Sequence, residues 1–206
     1  MEGRRQTLAT VGVMAVAFAT VLAALLVLNR DDATNATAAS PNSTAALFDP
    51  GDEVTIRGSA AVDGFLADYE RSLDSTFRIL ADISREVDTG ASISNRFELV
   101  QRPPRQVVRT ITGTEVGALL SDQERAELTA LVTGADSTYT VVGTAAGCWQ
   151  LVLREFIPAA PLGTITEYCF DEATGAPMYI HTSRAEGTDT MVTIEVTGEV
   201  TDTDFE

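Results

Sequence analysis

The chain has no lysine; all 14 of its basic residues are arginine, against 30 acidic residues, for a net charge of −16. That balance excludes an ordinary nucleic-acid binder, whose affinity comes from cations set against phosphates. It also opposes docking on anionic headgroups. The plainest use of the charge is a soluble, self-repelling surface. Histidine occurs once, as His181, and cysteine twice, as Cys148 and Cys169. Too few ligands remain for a structural zinc site, and no metal or cofactor is expected. No Gly-x-Ser-x-Gly elbow exists to present a nucleophile, and no glycine-rich loop to cradle phosphate. A lone histidine in the strand-like run from Met178 to Ser183 is more often structural than catalytic. Neighbouring acids such as Asp171/Glu172 and Asp202/Asp204 are expected by chance among so many. No enzyme is predicted. Internal repeats and heptads are also missing.

Long apolar runs are scarce too, with one exception. Residues Leu8 to Leu28 carry no charge, and a helix of that length reaches roughly 30 Å, the thickness of a bilayer core. Arg4 and Arg5 precede it, whereas Arg30 is offset by Asp31 and Asp32, so the N-terminus is expected in the cytoplasm and the rest outside. A cleaved signal peptide is the alternative. Its apolar core usually spans ~7–15 residues, and Ala36-Thr37-Ala38 lies far beyond the run. Gln6-Thr7-Leu8 fits twin-arginine export poorly, and no cysteine follows the run to take a lipid. The expected organisation is a cytoplasmic tail (1–7), a single-pass signal-anchor helix (8–28), a flexible linker (29–50) and one extracytoplasmic domain (51–206). The linker is small and polar and cannot bury a core. Its sequons at Asn35 and Asn42 read as chance products of composition.

Both cysteines fall in the exported part, where disulfides persist. Strand formers run from Cys148 to Ile157 and from Thr164 to Phe170, joined by Pro158 to Gly163. An antiparallel pairing that sets Cys148 opposite Cys169 centres its turn inside that connection. Facing Cα atoms then lie ~4.5–5.5 Å apart, within disulfide range. A structural cross-strand disulfide is predicted, with Trp149 opposite Tyr168.

Helical spacing of Val62, Phe65, Leu66, Tyr69 and Leu73 predicts an amphipathic helix from Ala61 to about Leu73. Residues 76–87 satisfy both periods and are read as a strand. Further strands are predicted at Ile93–Gln101, Gln106–Thr112, Tyr139–Gly143, Met178–Ser183 and Met191–Val200. Ser121-Asp122-Gln123-Glu124 reads as a capping box opening a second helix that stops at Gly134. This order defines an α+β class with an antiparallel sheet.

Four segments carry a family resemblance: Phe65 to Leu73 followed by strands; Arg102-Pro103-Pro104-Arg105; the strand, Thr-Gly turn and proline from Thr166 to Met178; and the closing run from Val196 to Phe205. The domain resembles the LolA/LprG-like lipoprotein-carrier superfamily in its actinobacterial, membrane-anchored form, which also suits the arginine-only basic composition. That resemblance implies an antiparallel half-barrel with helices on its concave face, enclosing a cavity for acyl chains. Phe65, Leu66, Tyr69, Leu119, Leu120, Leu128, Leu131, Val132 and Trp149 are the ligand-binding candidates. Ordinary core packing is the plainer role for each of them. Two functions follow. One is a membrane-anchored domain binding lipid or another hydrophobe in the cell envelope. The other is a structural or regulatory interaction domain on the same scaffold with a filled core.

Overall fold

The computed structural model describes residues 54–111, 113–117 and 122–206. The expected tail, anchor helix and linker lie outside them, as do Leu119, Leu120 and the capping Ser121. No helix among the described residues is long and apolar enough to cross a membrane.

Ten strands form one open antiparallel sheet, in the order β1-β6-β7-β8-β9-β10-β2-β3-β4-β5. Two sequential meanders build it. The first contains β2 (Phe77–Val87), β3 (Ser92–Arg102), β4 (Arg105–Thr110) and β5 (Gly113–Gly117). The second contains β6 (Tyr139–Thr144), β7 (Trp149–Leu153), β8 (Ile165–Phe170), β9 (Pro177–Arg184) and β10 (Gly187–Thr197). Pairing of β10 with β2 joins them, and β1 (Val54–Ile56) lies on the free side of β6. Helix α1 (Ser59–Asp74) precedes the first meander and α2 (Asp122–Val132) connects the two.

The doubly periodic segment 77–87 is a strand, as expected. Its alternate residues Phe77, Ile79, Ala81 and Ile83 are all buried. The period-2 face wins because it continues across neighbours: Ile83 opposes Met191 on one side, and Ala81 opposes Phe97 on the other. A bulge between Thr193 and Glu195 breaks the β10 ladder and leaves Ile194 half exposed.

Most element boundaries shift by one or two residues, and two strands shift by more. The strand that begins near Cys148 stops at Leu153, well before Ile157. The closing strand runs Gly187–Thr197, starting and ending earlier than predicted. Two strands were not anticipated: β1 has three residues, and β5 carries one large apolar side chain between two glycines.

Both helices cover one face. Ala61, Phe65, Tyr69 and Leu73 of α1 and Leu128 and Val132 of α2 join the inward-facing strand residues in a single cluster. Arg125 pairs with Glu70 and Asp74 at the end of α1, while Val132 shares a cleft with Val62 near its start. The helices therefore run antiparallel. The end of α1 is closed by a side chain from the sheet. Buried Gln101 donates through Nε2 to the carbonyls of Ser72 (2.7 Å), Leu73 (3.2 Å) and Ser75 (3.0 Å), satisfying acceptors that a helix end otherwise leaves open. Gln106 in turn donates to Gln101 Oε1 at 3.0 Å.

Candidate functional site

The predicted hairpin has the predicted register. Trp149 pairs with Tyr168, and Cys148 and Cys169 form a disulfide with Cα atoms 4.4 Å apart. The bridge lies on the sheet face away from the helices, because Trp149 and Tyr168, one residue along each strand, face α1. Glu167 approaches the two sulfur atoms within 4.8 Å. Both sulfurs are tied up in the bond, so the trio offers no thiolate to a metal.

On the helix face, the ligand-binding candidates of α1 meet rings from β8. Phe65 lies 5.7 Å from Tyr69 and 5.6 Å from Tyr168 between centroids, and Tyr168 stacks on Phe170 at 6.2 Å. These are preferred aromatic separations. Burial pushes the phenols of Tyr69 and Tyr168 up, so both remain protonated. Trp149 is held against α1 at two points. Its indole N–H donates to Asp68 Oδ2 at 2.8 Å, and its six-membered ring lies against Gly64. Leu128 is buried in the same core, and Leu66 and Leu131 pack against it partly covered. Among the described residues these side chains pack against one another.

Space opens instead where α1 begins and α2 ends. β1 pairs only with Gly143 and Thr144. The first residues of β6 thus have no strand on that side among the described residues. A cleft of about 390 Å³ lies along them. Val62 gives the cleft open apolar surface, Val132, Tyr139 and Val141 bound it from α2 and β6 as nearly fully buried residues, and Ser59, Asp63, Thr133, Ser137, Thr140 and Arg154 contribute polar groups. Of the candidates named from sequence, Val132 lines this cleft. Tyr139 and Val141 appeared there only as parts of a strand.

Two clamps hold the cleft. Arg154 donates from Nη1 to the carbonyls of Ala135 (2.7 Å) and Ser137 (3.4 Å), and from Nε to Thr140 Oγ1 (3.3 Å). It fastens the loop after α2 to the end of β7. Tyr139 accepts at its hydroxyl from Leu162 N and donates to Gly163 O, both at 3.0 Å, which folds the β7–β8 connection inward. Burial raises the Tyr139 phenol, opposed by the Leu162 N–H and by Arg184. It stays a donor over the whole ordinary pH range.

His181 is set apart from this cleft. It is half-buried on β9, with Nδ1 2.9 Å from Thr190 Oγ1 and Nε2 3.3 Å from Ser183 Oγ, and it stacks on Tyr179. Desolvation lowers its pKa, against the pull of Asp189 and Glu86. Asp189 is itself buried, between Arg85 and Arg184 at 3.3 Å each. These are structural arrangements that stiffen the ends of β2, β9 and β10.

Among the described residues, fold and cleft together define a class: an open antiparallel sheet of ten strands, two helices on one face, and a half-open cleft where the helices leave the sheet edge uncovered. No protein-family model matches the chain, and no curated protein matches it. Among solved structures it is similar to a chain of the Pseudomonas aeruginosa MucA/MucB complex, at 12% identity and a TM-score of 0.36, over 71% of this chain and 60% of that one. It is also similar to a LolA superfamily protein from Nitrosomonas europaea, at 8% identity and TM-score 0.31, over 73% of this chain and 97% of that one. A DUF1329 family protein from Desulfovibrio piger aligns at 9% identity and TM-score 0.35, over 74% of this chain and 98% of that one. Likenesses this distant assign neither ligand nor partner to this chain.

Proposed function

We propose that the chain is a non-enzymatic binding domain of the cell envelope, held at the membrane by Leu8–Leu28. We further propose that its cleft takes one slender hydrophobic group, such as a single acyl chain. The observation that carries this reading is the cleft itself. Its volume of about 390 Å³ falls in the ~300–1,000 Å³ range of small-molecule sites, which pair apolar walls with a few placed polar groups. Val62, Val132, Tyr139 and Val141 bound its apolar side, while Arg154, Asp63 and the hydroxyls supply the polar groups. At ~0.8 kcal/mol per buried CH₂, eight methylenes contribute ~6 kcal/mol, which corresponds to a dissociation constant in the tens of micromolar.

The ring cluster beneath α1 supports a second reading, an interaction domain whose core is complete and whose outer surface does the binding. Native mass spectrometry of residues 45–206, purified without detergent, separates the two, together with titration of a fluorescent fatty acid. The first reading expects one bound chain per protein and loss of binding in Val132→Arg. Absence of both co-purifying lipid and fatty-acid binding would leave only the second.

A further inference from the structure

Two sequence segments not absorbed by the cleft meet on the opposite face of the sheet. One is Arg102-Pro103-Pro104-Arg105, the turn between β3 and β4. The other is the tail, which ends in a short 3₁₀ turn, Asp202–Phe205. Asp202 Oδ1 accepts from Arg102 Nη2 and, at 3.2 Å, from Arg105 Nη1. The Phe205 ring lies under the same two guanidiniums, 4.1 Å from Arg105 Cζ and 5.3 Å from Arg102 Cζ. Asp204 receives Arg78 at 3.2 Å, and its carbonyl receives Arg109. In a chain of net charge −16 with 14 arginines, four of them converge on this one short segment.

The tail lies at the surface: Asp202 is exposed and Asp204 and Phe205 are half-covered, so its ion pairs are open to competition from solvent and from other acids. If the tail leaves, Arg78 and Arg109 keep Glu98, at 3.0 and 2.8 Å. Arg102 and Arg105 keep no ion-pair partner among the described residues. What is exposed is a pair of planar guanidiniums, suited to hold a carboxylate and stack on an aromatic ring at once.

We infer that this face is a recognition site for a partner segment of the form Asp-x-Asp-Phe, and that the chain's own tail occupies it until a partner displaces it. The tail is the template for the ligand: two acids to bridge the arginines, and a phenylalanine to lie beneath them. Because the tail is tethered, it competes at a millimolar effective concentration. A free segment therefore binds the intact chain more weakly than a chain without its tail, by about tenfold for a tail affinity of ~0.1 mM. This inference is independent of the cleft.

The test compares the 206-residue chain with a chain cut after Val200, using a fluorescein-labelled peptide of the sequence Thr201 to Glu206 and fluorescence anisotropy. Asp202→Asn/Phe205→Ala in the uncut chain opens the site without shortening it, in case the cut chain is unstable. Both opened chains are expected to bind the peptide more tightly than the parent, by about tenfold for a peptide affinity of ~0.1 mM. Binding should be lost with Arg102→Ala/Arg105→Ala, with a peptide lacking the phenylalanine, and in high salt. Equal binding by parent and opened chains overturns the proposal, as does no binding by either opened chain at millimolar peptide. Dimerisation of the parent through exchanged tails, read by light scattering, overturns the partner in favour of a second copy.

Discussion

Gly64 decides whether Trp149 belongs to a packed core or to a yielding pocket wall. A Cβ placed at residue 64 would lie 2.4 Å from Trp149 Cη2 and 2.8 Å from Cζ2, where unstrained carbon contacts begin near ~3.5 Å. The ring or the helix must therefore move by about 1 Å. The indole has little room to do so, since Trp149 is 8% exposed and its N–H is fixed to Asp68 at 2.8 Å. Two effects oppose each other in Gly64→Ala. Replacing glycine inside a helix contributes about 1 kcal/mol of stability. Overpacking costs about 1–3 kcal/mol, and breaking the half-buried Trp–Asp hydrogen bond costs about 1 kcal/mol more. The clash wins, and Gly64→Ala is expected to destabilise by about 1–3 kcal/mol. The cycle with Trp149→Leu isolates the cause. In that background the clash is gone, and Gly64→Ala should stabilise by about 0.5–1 kcal/mol, a coupling typical of residues in direct contact. Urea unfolding followed by far-UV circular dichroism gives the energies, and the emission of Trp149, the sole tryptophan, reports the ring directly. A Gly64→Ala protein as stable as its parent with unchanged emission would refute the argument. It would show slack around Trp149 and return that residue to the ligand-binding candidates.

Two further expectations rest on other contacts. Cys148→Ala/Cys169→Ala opens a loop with sequence separation 21, which chain entropy values at about 3 kcal/mol. Two reactive thiols in a thiol assay on unreduced parent protein would contradict the bridge. His181 has a folded-state pKa below its ordinary value because burial disfavours the imidazolium, so the unfolded chain binds the proton more tightly. Its contribution to stability is therefore present above the ordinary imidazole pKa and is lost as pH falls from there through the folded value. Chemical denaturation of the parent should weaken over that window, and His181→Gln should flatten the slope. Parallel profiles for the two would contradict the assigned cause.

What the sequence made legible was local. The β7–β8 register followed from two cysteines and a proline-bounded connection, and the face of α1 followed from a repeat of four. Segment 77–87 was legible only as a choice between two periods, because nothing in it reveals that Met191 and Phe97 will flank it. β1 and β5 were invisible because three residues, or one apolar residue between glycines, make no period at all. The contact of Arg102 with Asp202 spans 100 residues, and the cap of α1 by Gln101 spans 29. A glutamine in a strand carries no local sign that it will end a helix.

The candidate site shows the same division for a physical reason. Phe65, Tyr69 and Leu128 were selected because large apolar groups at helical spacing must leave water. The groups that do so most completely are the ones that fill one another's space. Periodicity therefore finds the packed interior and passes over places where packing fails. Such places lie where elements end, since a helix terminus cannot present a full turn of side chains to the sheet. The cleft obeys this: Gly58 and Ser59 begin α1, Val132 ends α2, and Tyr139 begins β6. Its apolar residues are valines and one tyrosine whose hydroxyl is committed to the β7–β8 loop. A search for a hydrophobe site in a sequence of this kind should start from small apolar residues at predicted element ends, beside an arginine that ties a loop, rather than from the largest residues of the amphipathic face.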